Sequence, residues 1–115
     1  MAKIGVDMDG TITALPAFFS FLCDSLLRAG HEVHVISYRF WFLEAATRAE
    51  LAQLNVPYTS LHLNDTGLPA PQWKLCKAVE LRLDMMFEDS MDNLAVMPPS
   101  VVRVHVGQAL QSMKP

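Results

Sequence analysis

The sequence predicts an α/β fold in which a five-stranded parallel sheet carries helices on both faces. Short apolar runs typical of buried strands alternate with longer stretches whose apolar residues recur at helical spacing. Polar residues directly follow several of these runs, as happens where parallel strands leave a sheet at a ligand site. The chain has 115 residues, of which 51% are hydrophobic, and this suffices for one domain with a buried core.

The individual elements follow from this periodicity in chain order. Strands are predicted at residues 3–8, 32–38, 58–63, 84–88 and 101–106. Helices are predicted at residues 16–29, 42–54 and 73–82, followed by a short fourth helix that ends before Pro98. The polar segment 64–72 contains Gly67, Pro69 and Pro71 and is predicted to be a loop.

Helical spacing also predicts which side chains face the core. The first helix is expected to bury Phe18, Phe21, Leu22 and Leu26, and the second is expected to bury Phe42. We interpret Trp41 and Trp73 as packing residues, and the four scattered histidines show no metal-ligand spacing. Cys23 and Cys76 lie far apart in helical stretches, which favours reduced core thiols of a cytoplasmic protein.

Charge and hydropathy argue against two classes of partner. The formal net charge is -3 and no basic cluster occurs, so a broad nucleic-acid-binding face is not expected. No apolar stretch reaches the roughly 18 residues of a membrane span. Asp7 and Asp9 stand where a signal peptide would have its apolar region, which also favours the cytoplasm.

The most informative residues are the two acids at the end of the first predicted strand. Asp7 and Asp9 are one residue apart and are followed at once by Gly10 and Thr11. Two like charges this close are unfavourable unless a cation or a reaction requires them. For an isolated Asp-Gly pair, a solvated turn would be the better explanation.

The run Asp7-Met8-Asp9-Gly10-Thr11 resembles the first motif of the haloacid dehalogenase (HAD) superfamily of phosphotransferases. Candidates for the other three motifs follow in the family's order: Ser37, Lys74 and the pair Glu88-Asp89. The resemblance implies the strand order 3-2-1-4-5, a catalytic core over residues 1–106, no cap domain, and a C-terminal tail at residues 107–115. In motif layout the chain is similar to small proteins related to the cytosolic deoxyribonucleotidases.

The resemblance also implies a catalytic role for each motif residue. Asp7 would attack phosphorus and form an aspartyl phosphate, while Asp9 would protonate the leaving oxygen and later activate water. These roles require a raised pKa at Asp9 and an ionised Asp7. Ser37 would hydrogen-bond the transferring phosphoryl group. Lys74 would hold the nucleophile and the phosphate by charge, with Lys77 as the alternative lysine.

A magnesium ion is the cofactor that the resemblance implies. Asp7, the backbone carbonyl of Asp9, and Asp89 would bind Mg²⁺ directly, and Glu88 would act through a water molecule. Asp92 would replace one of these acids if the fourth motif is a spaced pair. A structural role is also open, because Asp89 or Ser90 suits the N-cap of the next helix. Arg39 either reaches the substrate phosphate or only covers the surface.

The function implied is Mg²⁺-dependent hydrolysis of a small phosphorylated substrate, with 5'-nucleotidase-like action on a nucleoside monophosphate favoured. One alternative is a non-catalytic phosphate- or Mg²⁺-binding module of the same fold. A second is a response-regulator receiver, for which Asp65 would follow the third strand. Without a cap, water exclusion is left to residues 64–72, residues 13–16, a second subunit of a homodimer, or a large substrate.

Overall fold

The computed structural model describes residues 1–107 and contains one parallel sheet of five strands. The strands are β1 (Lys3–Val6), β2 (Glu32–Phe40), β3 (Ser60–Asn64), β4 (Met85–Glu88) and β5 (Val102–His105). Their order in the sheet is β3-β2-β1-β4-β5, so the predicted fold class and strand order are confirmed. Of the predicted tail, all but Gly107 lies outside the described residues.

Four helices connect the strands: α1 (Pro16–Arg28), α2 (Glu44–Gln53), α3 (Ala70–Leu81) and α4 (Met91–Ala95). Helix α3 begins at Ala70 rather than at the predicted Trp73, because Pro69 caps it and Pro71 lies in its first turn. Proline is favourable there, since the first turn has no intrahelical partner for its N–H groups. The predicted loop therefore shortens to residues 65–69.

Two apolar clusters place helices on both faces of the sheet. Val33 and Val35 of β2 belong to a cluster that includes Phe19 of α1 and Leu51 of α2. The opposite face of the sheet contributes to a second cluster, which contains Ile36, Trp73, Ala78, Met86 and Leu94. No domain is inserted between these elements in residues 1–107, and none of the described helices is long and apolar enough to cross a membrane.

Several side chains predicted to be buried are exposed instead. On α1, Phe19 and Cys23 are buried. Leu22 and Leu26 pack against the core as predicted, whereas Phe18 and Phe21 face solvent, so the predicted apolar face is correct only in part. Cys76 is exposed, in contrast to Cys23, whose burial raises the pKa of its thiol to about 12. Trp73 is buried as predicted.

The end of β2 also differs from the prediction. The strand continues through Phe40, and a 3-10 turn at Trp41–Leu43 separates it from α2. Trp41 and Phe42 consequently lie outside the helix and are exposed. The sequence pattern placed Phe42 on the apolar face of α2 because the aromatic residues continue the helical spacing without a break.

The register of the central strand brings the polar residues to one edge of the sheet. Strand β1 pairs with β2 through Val6 and Val35, and with β4 through Val6 and Phe87. The backbone N–H of Asp7 extends the second ladder by donating to the Phe87 carbonyl at 3.0 Å. The carboxyl ends of β1, β2 and β4 therefore meet, as is usual for ligand sites in open parallel sheets.

Candidate active site

A buried lysine joins acids from two neighbouring strands at this edge. The Lys74 Nζ atom lies 2.6 Å from Asp7 Oδ1 and 2.6 Å from Glu88 Oε1, and all three side chains are buried. Lys77, the alternative motif lysine, instead pairs with the exposed Glu80 within α3. The geometry therefore selects Lys74 as the lysine of the candidate site.

Local backbone geometry at the end of β1 presents Asp7 to this lysine. Asp7 has an extended backbone, and a wide π-helical turn at Met8–Ile12 follows it, interrupted at Asp9 and Gly10. The Thr11 hydroxyl donates a hydrogen bond to Asp7 Oδ2 at 3.2 Å. The sequence did not predict this contact, although Asp7 and Thr11 belong to the same motif.

Gly10 lets the β1 turn approach Asp89 closely. Gly10 has φ of +80°, and a Cβ atom built there would lie 2.2 Å from Asp89 Oδ2. The left-handed conformation and the close contact both require glycine. The Asp89 carboxylate therefore packs against the backbone of this turn, in space that any side chain at residue 10 would occupy.

Gly10→Ala is expected to displace Asp89. For the magnesium site that the sequence predicts, this should lower Mg²⁺ affinity by about 10-fold or more, as loss of a supporting contact around a metal site does. Gly30→Ala is the matched control. Gly30 also has positive φ, at +90°, but its Cβ would meet nothing within 4 Å. Titration calorimetry with Mg²⁺ measures both variants, and equal affinities would contradict the fit between Gly10 and Asp89.

Each carboxylate oxygen of Glu88 already accepts two hydrogen bonds from the protein. Its Oε1 atom accepts from Lys74 and from Asn93 Nδ2, the latter at 3.1 Å. Its Oε2 atom accepts from the backbone N–H groups of Asp89 at 3.0 Å and Ser90 at 3.2 Å. Glu88 thus fixes Lys74 and the start of α4, and its contact with a metal through water stays a prediction.

Asn93 is a site residue that sequence reasoning missed. It lines the cavity, its side chain donates to Glu88, and its backbone N–H donates to the Ser90 hydroxyl that caps α4. The signal for it was its position one helical turn after the acidic pair. Asp92, the alternative acid, is exposed and does not line the cavity.

Three carboxylates converge closely enough to hold a cation. Asp7, Glu88 and Asp89 each place one oxygen within 4.8 Å of the others. When all three are ionised, the ammonium of Lys74 offsets one of three negative charges and leaves two. Oxygen donors with this excess charge suit a hard divalent ion such as Mg²⁺.

The ionisation of these acids reflects burial and the shared lysine. Burial raises the pKa of Asp7 to about 8, against the opposing charge of Lys74. Burial also acts to raise the pKa of Glu88, but Lys74 and the hydrogen bonds from the next residues outweigh it and hold that pKa below its usual range. Burial raises the pKa of Asp89.

Asp9 forms a two-pronged ion pair with Arg39. The distances are 3.0 Å from Arg39 Nε to Asp9 Oδ2 and 2.7 Å from Nη2 to Oδ1. The hydrogen bonds from Arg39 hold the pKa of Asp9 below its usual range. The sequence-based expectation of a raised pKa at Asp9 is therefore wrong for this structure, because Arg39 contacts Asp9. Without a cation beside it, Asp7 is the acid whose pKa is raised, and burial is the cause.

Arg39 has further partners on α2. Its Nη1 atom donates to Glu50 at 2.9 Å and to the Thr47 hydroxyl at 3.3 Å. Ser37 ends the regular part of β2 as predicted, but it is buried and its hydroxyl accepts from the Arg39 backbone N–H at 3.2 Å. Ser37 does not line the cavity described next.

The cavity at this edge has a volume of about 350 Å³ and is lined by Asp7, Asp9, Tyr38, Arg39, Lys74, Glu88, Asp89 and Asn93. A larger cavity of about 470 Å³ lies between α1 and α2, but Asp24 is the one charged residue among its lining residues. We place the site at the smaller cavity because it holds the group of acids with perturbed pKa values.

The fold and the site together define an open parallel α/β protein with a lysine-bridged acidic centre. No family model and no curated protein matches the chain. Two solved structures of the Pnkp1/Rnl/Hen1 RNA repair complex contain similar chains, with TM-scores of 0.79 and 0.77 and 15% identity in both. The likeness covers 93% of this chain but only 46% and 43% of those chains, so this chain spans less than half their length.

A universal stress protein in complex with cAMP is also similar, with a TM-score of 0.57 and 11% identity over 90% of this chain and 96% of that chain. At such identities these likenesses show the fold alone. They agree with the strand order and layers described above, and the chemistry of the site must be argued from its own residues.

Proposed function

We propose that the protein hydrolyses phosphomonoesters with the help of Mg²⁺. The observation that carries this proposal is Lys74, which bridges Asp7 and Glu88 beside Asp89 where three parallel strands end. Such a site combines a carboxylate nucleophile, a fixed positive charge for the phosphate, and oxygen ligands for a cation. The order of these residues along the chain also resembles the motifs of the HAD superfamily.

In the proposed reaction, an oxygen of Asp7 forms a bond to phosphorus while the bond from phosphorus to the ester oxygen breaks. Asp9, which takes up a proton from solvent after Arg39 has left it, gives that proton to the leaving oxygen. Asp9 then removes a proton from water, and the water oxygen attacks the aspartyl phosphate and releases inorganic phosphate and free Asp7. Lys74 remains bound to Asp7 and balances the charge of the transferred group.

Proton transfer by Asp9 requires Arg39 to leave it. Arg39 would keep Glu50 and Thr47 as partners when it turns away, so the guanidinium need not lose all of its hydrogen bonds. An incoming phosphate attracts the same guanidinium. Once freed from Arg39, Asp9 would lose the hydrogen bonds that lower its pKa.

The residues present fit Mg²⁺ by donor type and charge. Asp7 and Asp89 would supply carboxylate oxygens and Asp9 its backbone carbonyl, with Glu88 held by its protein donors. The bound ion would neutralise charge on the phosphoryl oxygens. The cytoplasm is the compartment we propose, because the structure shows both cysteines as free thiols.

The direct test is release of inorganic phosphate from ribose 5-phosphate, adenosine 5'-monophosphate and an aryl phosphate, with and without Mg²⁺. We expect turnover that needs Mg²⁺ and stops with a chelator. No phosphate release from any ester at saturating Mg²⁺ would contradict the proposed reaction.

Mg²⁺ is also expected to raise the melting temperature, since a ligand that binds only the native state stabilises it by about 2.7 kcal/mol at 100 times its dissociation constant. Asp89→Asn should remove most of this rise. Asp92→Asn is the matched control, because Asp92 is exposed and outside the acidic cluster. Identical shifts in the two variants, measured by scanning calorimetry, would contradict the assigned site.

One observation favours a second candidate function, a non-catalytic phosphate- or Mg²⁺-binding module. The Arg39 pair with Asp9 occupies the group that would move protons. Such a module would show the melting shift without phosphate release. For the receiver alternative, Asp65 is exposed and does not line the cavity.

A further inference from the structure

Three consecutive exposed aromatic residues directly follow the cavity-lining residues Tyr38 and Arg39 in the chain. Phe40 is 53% exposed, and Trp41 and Phe42 are each 63% exposed. We call these three residues the aromatic platform. Exposed aromatic rings in such a run are unusual on a protein surface unless they contact something.

The rings of the platform are ordered with respect to one another. Phe40 and Phe42 are stacked with centroids 5.6 Å apart and planes at 12°. Trp41 meets Phe42 edge-on, with centroids 5.9 Å apart and planes at 84°. Because the two phenyl rings are parallel, a flat ring added to the stack would be parallel to both, and this arrangement suits a planar ligand.

The platform is continuous with the candidate site. Tyr38 and Arg39 line the cavity, and Phe40 is the next residue along β2. Arg39 reaches Asp9 at the cavity and Glu50 on α2, which fixes the end of β2 from which the platform begins. A ligand with its phosphate against Asp7 and Lys74 can therefore extend over this end of β2 toward the platform.

Charge decides what kind of ligand fits. In the described part of the chain, the cations of the cavity and of helix α2 are already paired: Lys74 with Asp7 and Glu88, Arg39 with Asp9 and Glu50, and Arg48 with Glu44. A long nucleic acid strand needs unpaired basic residues along its backbone. A ligand with one phosphate and one planar ring system has no such requirement.

We propose that the aromatic platform stacks against the base of a nucleoside monophosphate whose phosphate occupies the candidate active site. The position of the phosphate rests on the function proposed above, whereas the stacking of the base rests on the platform alone. The platform would then supply the substrate contacts beyond the phosphate that a capless site otherwise lacks, and so determine specificity.

The kinetic test compares adenosine 5'-monophosphate with ribose 5-phosphate, which has the same phosphate and sugar but no base. We expect kcat/KM for the nucleotide to exceed that for the sugar phosphate by about 10-fold or more, the range of base stacking on aromatic side chains. Trp41→Ala and Phe42→Ala should each lower this ratio toward one. The ratio is informative because damage to folding lowers both values together.

Phe21→Ala is the matched control, because Phe21 is an exposed aromatic residue on α1 that does not line the cavity. It should leave the ratio unchanged. A ratio near one in the unaltered protein, or an equal fall in all three variants, would overturn the proposal. Dimerisation would also overturn the proposal if it depends on protein concentration and is abolished by Trp41→Ala. The platform would then be an interface between two copies of the chain.

A binding measurement separates failure of this inference from failure of the proposed function. Adenosine has no phosphate, so its contact with the platform is independent of catalysis. We expect millimolar adenosine to shift the indole N–H signal of Trp41 in the NMR spectrum, with Trp41→Phe identifying that signal against Trp73. A shift without any phosphate release would support the platform and refute the phosphatase, and no shift with adenosine or its monophosphate would overturn the platform.

Discussion

Replacing Asp7 with asparagine is expected to abolish phosphate release, with kcat lowered on the order of 10⁴-fold or more, as for loss of a covalent nucleophile. The amide cannot form the ester bond to phosphorus, and it also removes a charged ligand from the acidic cluster. The measurement is single-turnover phosphate release at saturating Mg²⁺. Beryllium fluoride should inhibit the unaltered protein by imitating the phosphoryl group on Asp7.

Asp7→Asn has a built-in control for folding. Burial raises the pKa of Asp7 to about 8, so near pH 7 without Mg²⁺ the native state disfavours the ionised form that the unfolded chain adopts. The neutral amide avoids this penalty, and the variant should unfold in urea at no lower concentration than the unaltered protein. Retained turnover in a folded Asp7→Asn protein would contradict the role of Asp7.

Lys74→Met is expected to lower the free energy of unfolding by about 3–5 kcal/mol at pH 8 without Mg²⁺, as when one partner of a buried ion pair is removed. The variant leaves Asp7 and Glu88 buried without their shared cation. The loss should shrink as the pH falls, because protonation of the carboxyl groups removes their unpaired charge. Urea unfolding in the presence of a chelator measures both effects.

Lys77→Met is the matched control for this variant. Lys77 lies one turn further along α3, and its one ion-pair partner among residues 1–107 is exposed Glu80, so its loss should change the free energy of unfolding by about 0.5 kcal/mol or less. Adding Asp7→Asn to Lys74→Met should restore part of the lost stability, since the two residues are in direct contact. A Lys74→Met protein as stable as Lys77→Met would show that the buried bridge does not form.

Local patterns were sufficient to predict the strands and most of the helices, whereas the resemblance to the HAD superfamily implied the strand order and the candidate site residues. The strands are short apolar runs between turn residues, and their alternation with helices leaves few parallel topologies. Asp7 and Glu88 lie at the ends of two such runs, and the strand order implied by the resemblance places these two ends side by side. Lys74 was a harder choice, and only its contacts with both acids distinguish it from Lys77.

What the sequence could not predict depends on contacts between distant segments. Asp9 and Arg39 are 30 residues apart, and their pairing depends on how the β1 turn faces the end of β2. The predicted pKa difference between Asp7 and Asp9 failed for that reason. Likewise, an aromatic residue type does not by itself show whether the side chain is buried or exposed, and Trp41 and Phe42 were therefore predicted to be buried.

The central position of β1 has a consequence for the order of events during synthesis. Strand β1 hydrogen-bonds β2 on one edge and β4 on the other, and the Lys3 carbonyl accepts from the N–H of Asp84 at 2.7 Å. While the ribosome is still making the segment before β4, one edge of β1 has no native partner, and open edges are prone to pairing with other chains. Pairing over such a sequence separation is also slow. We therefore expect nascent chains arrested before Met85 to remain protease-sensitive, and the candidate site to form only after β4 has left the exit tunnel.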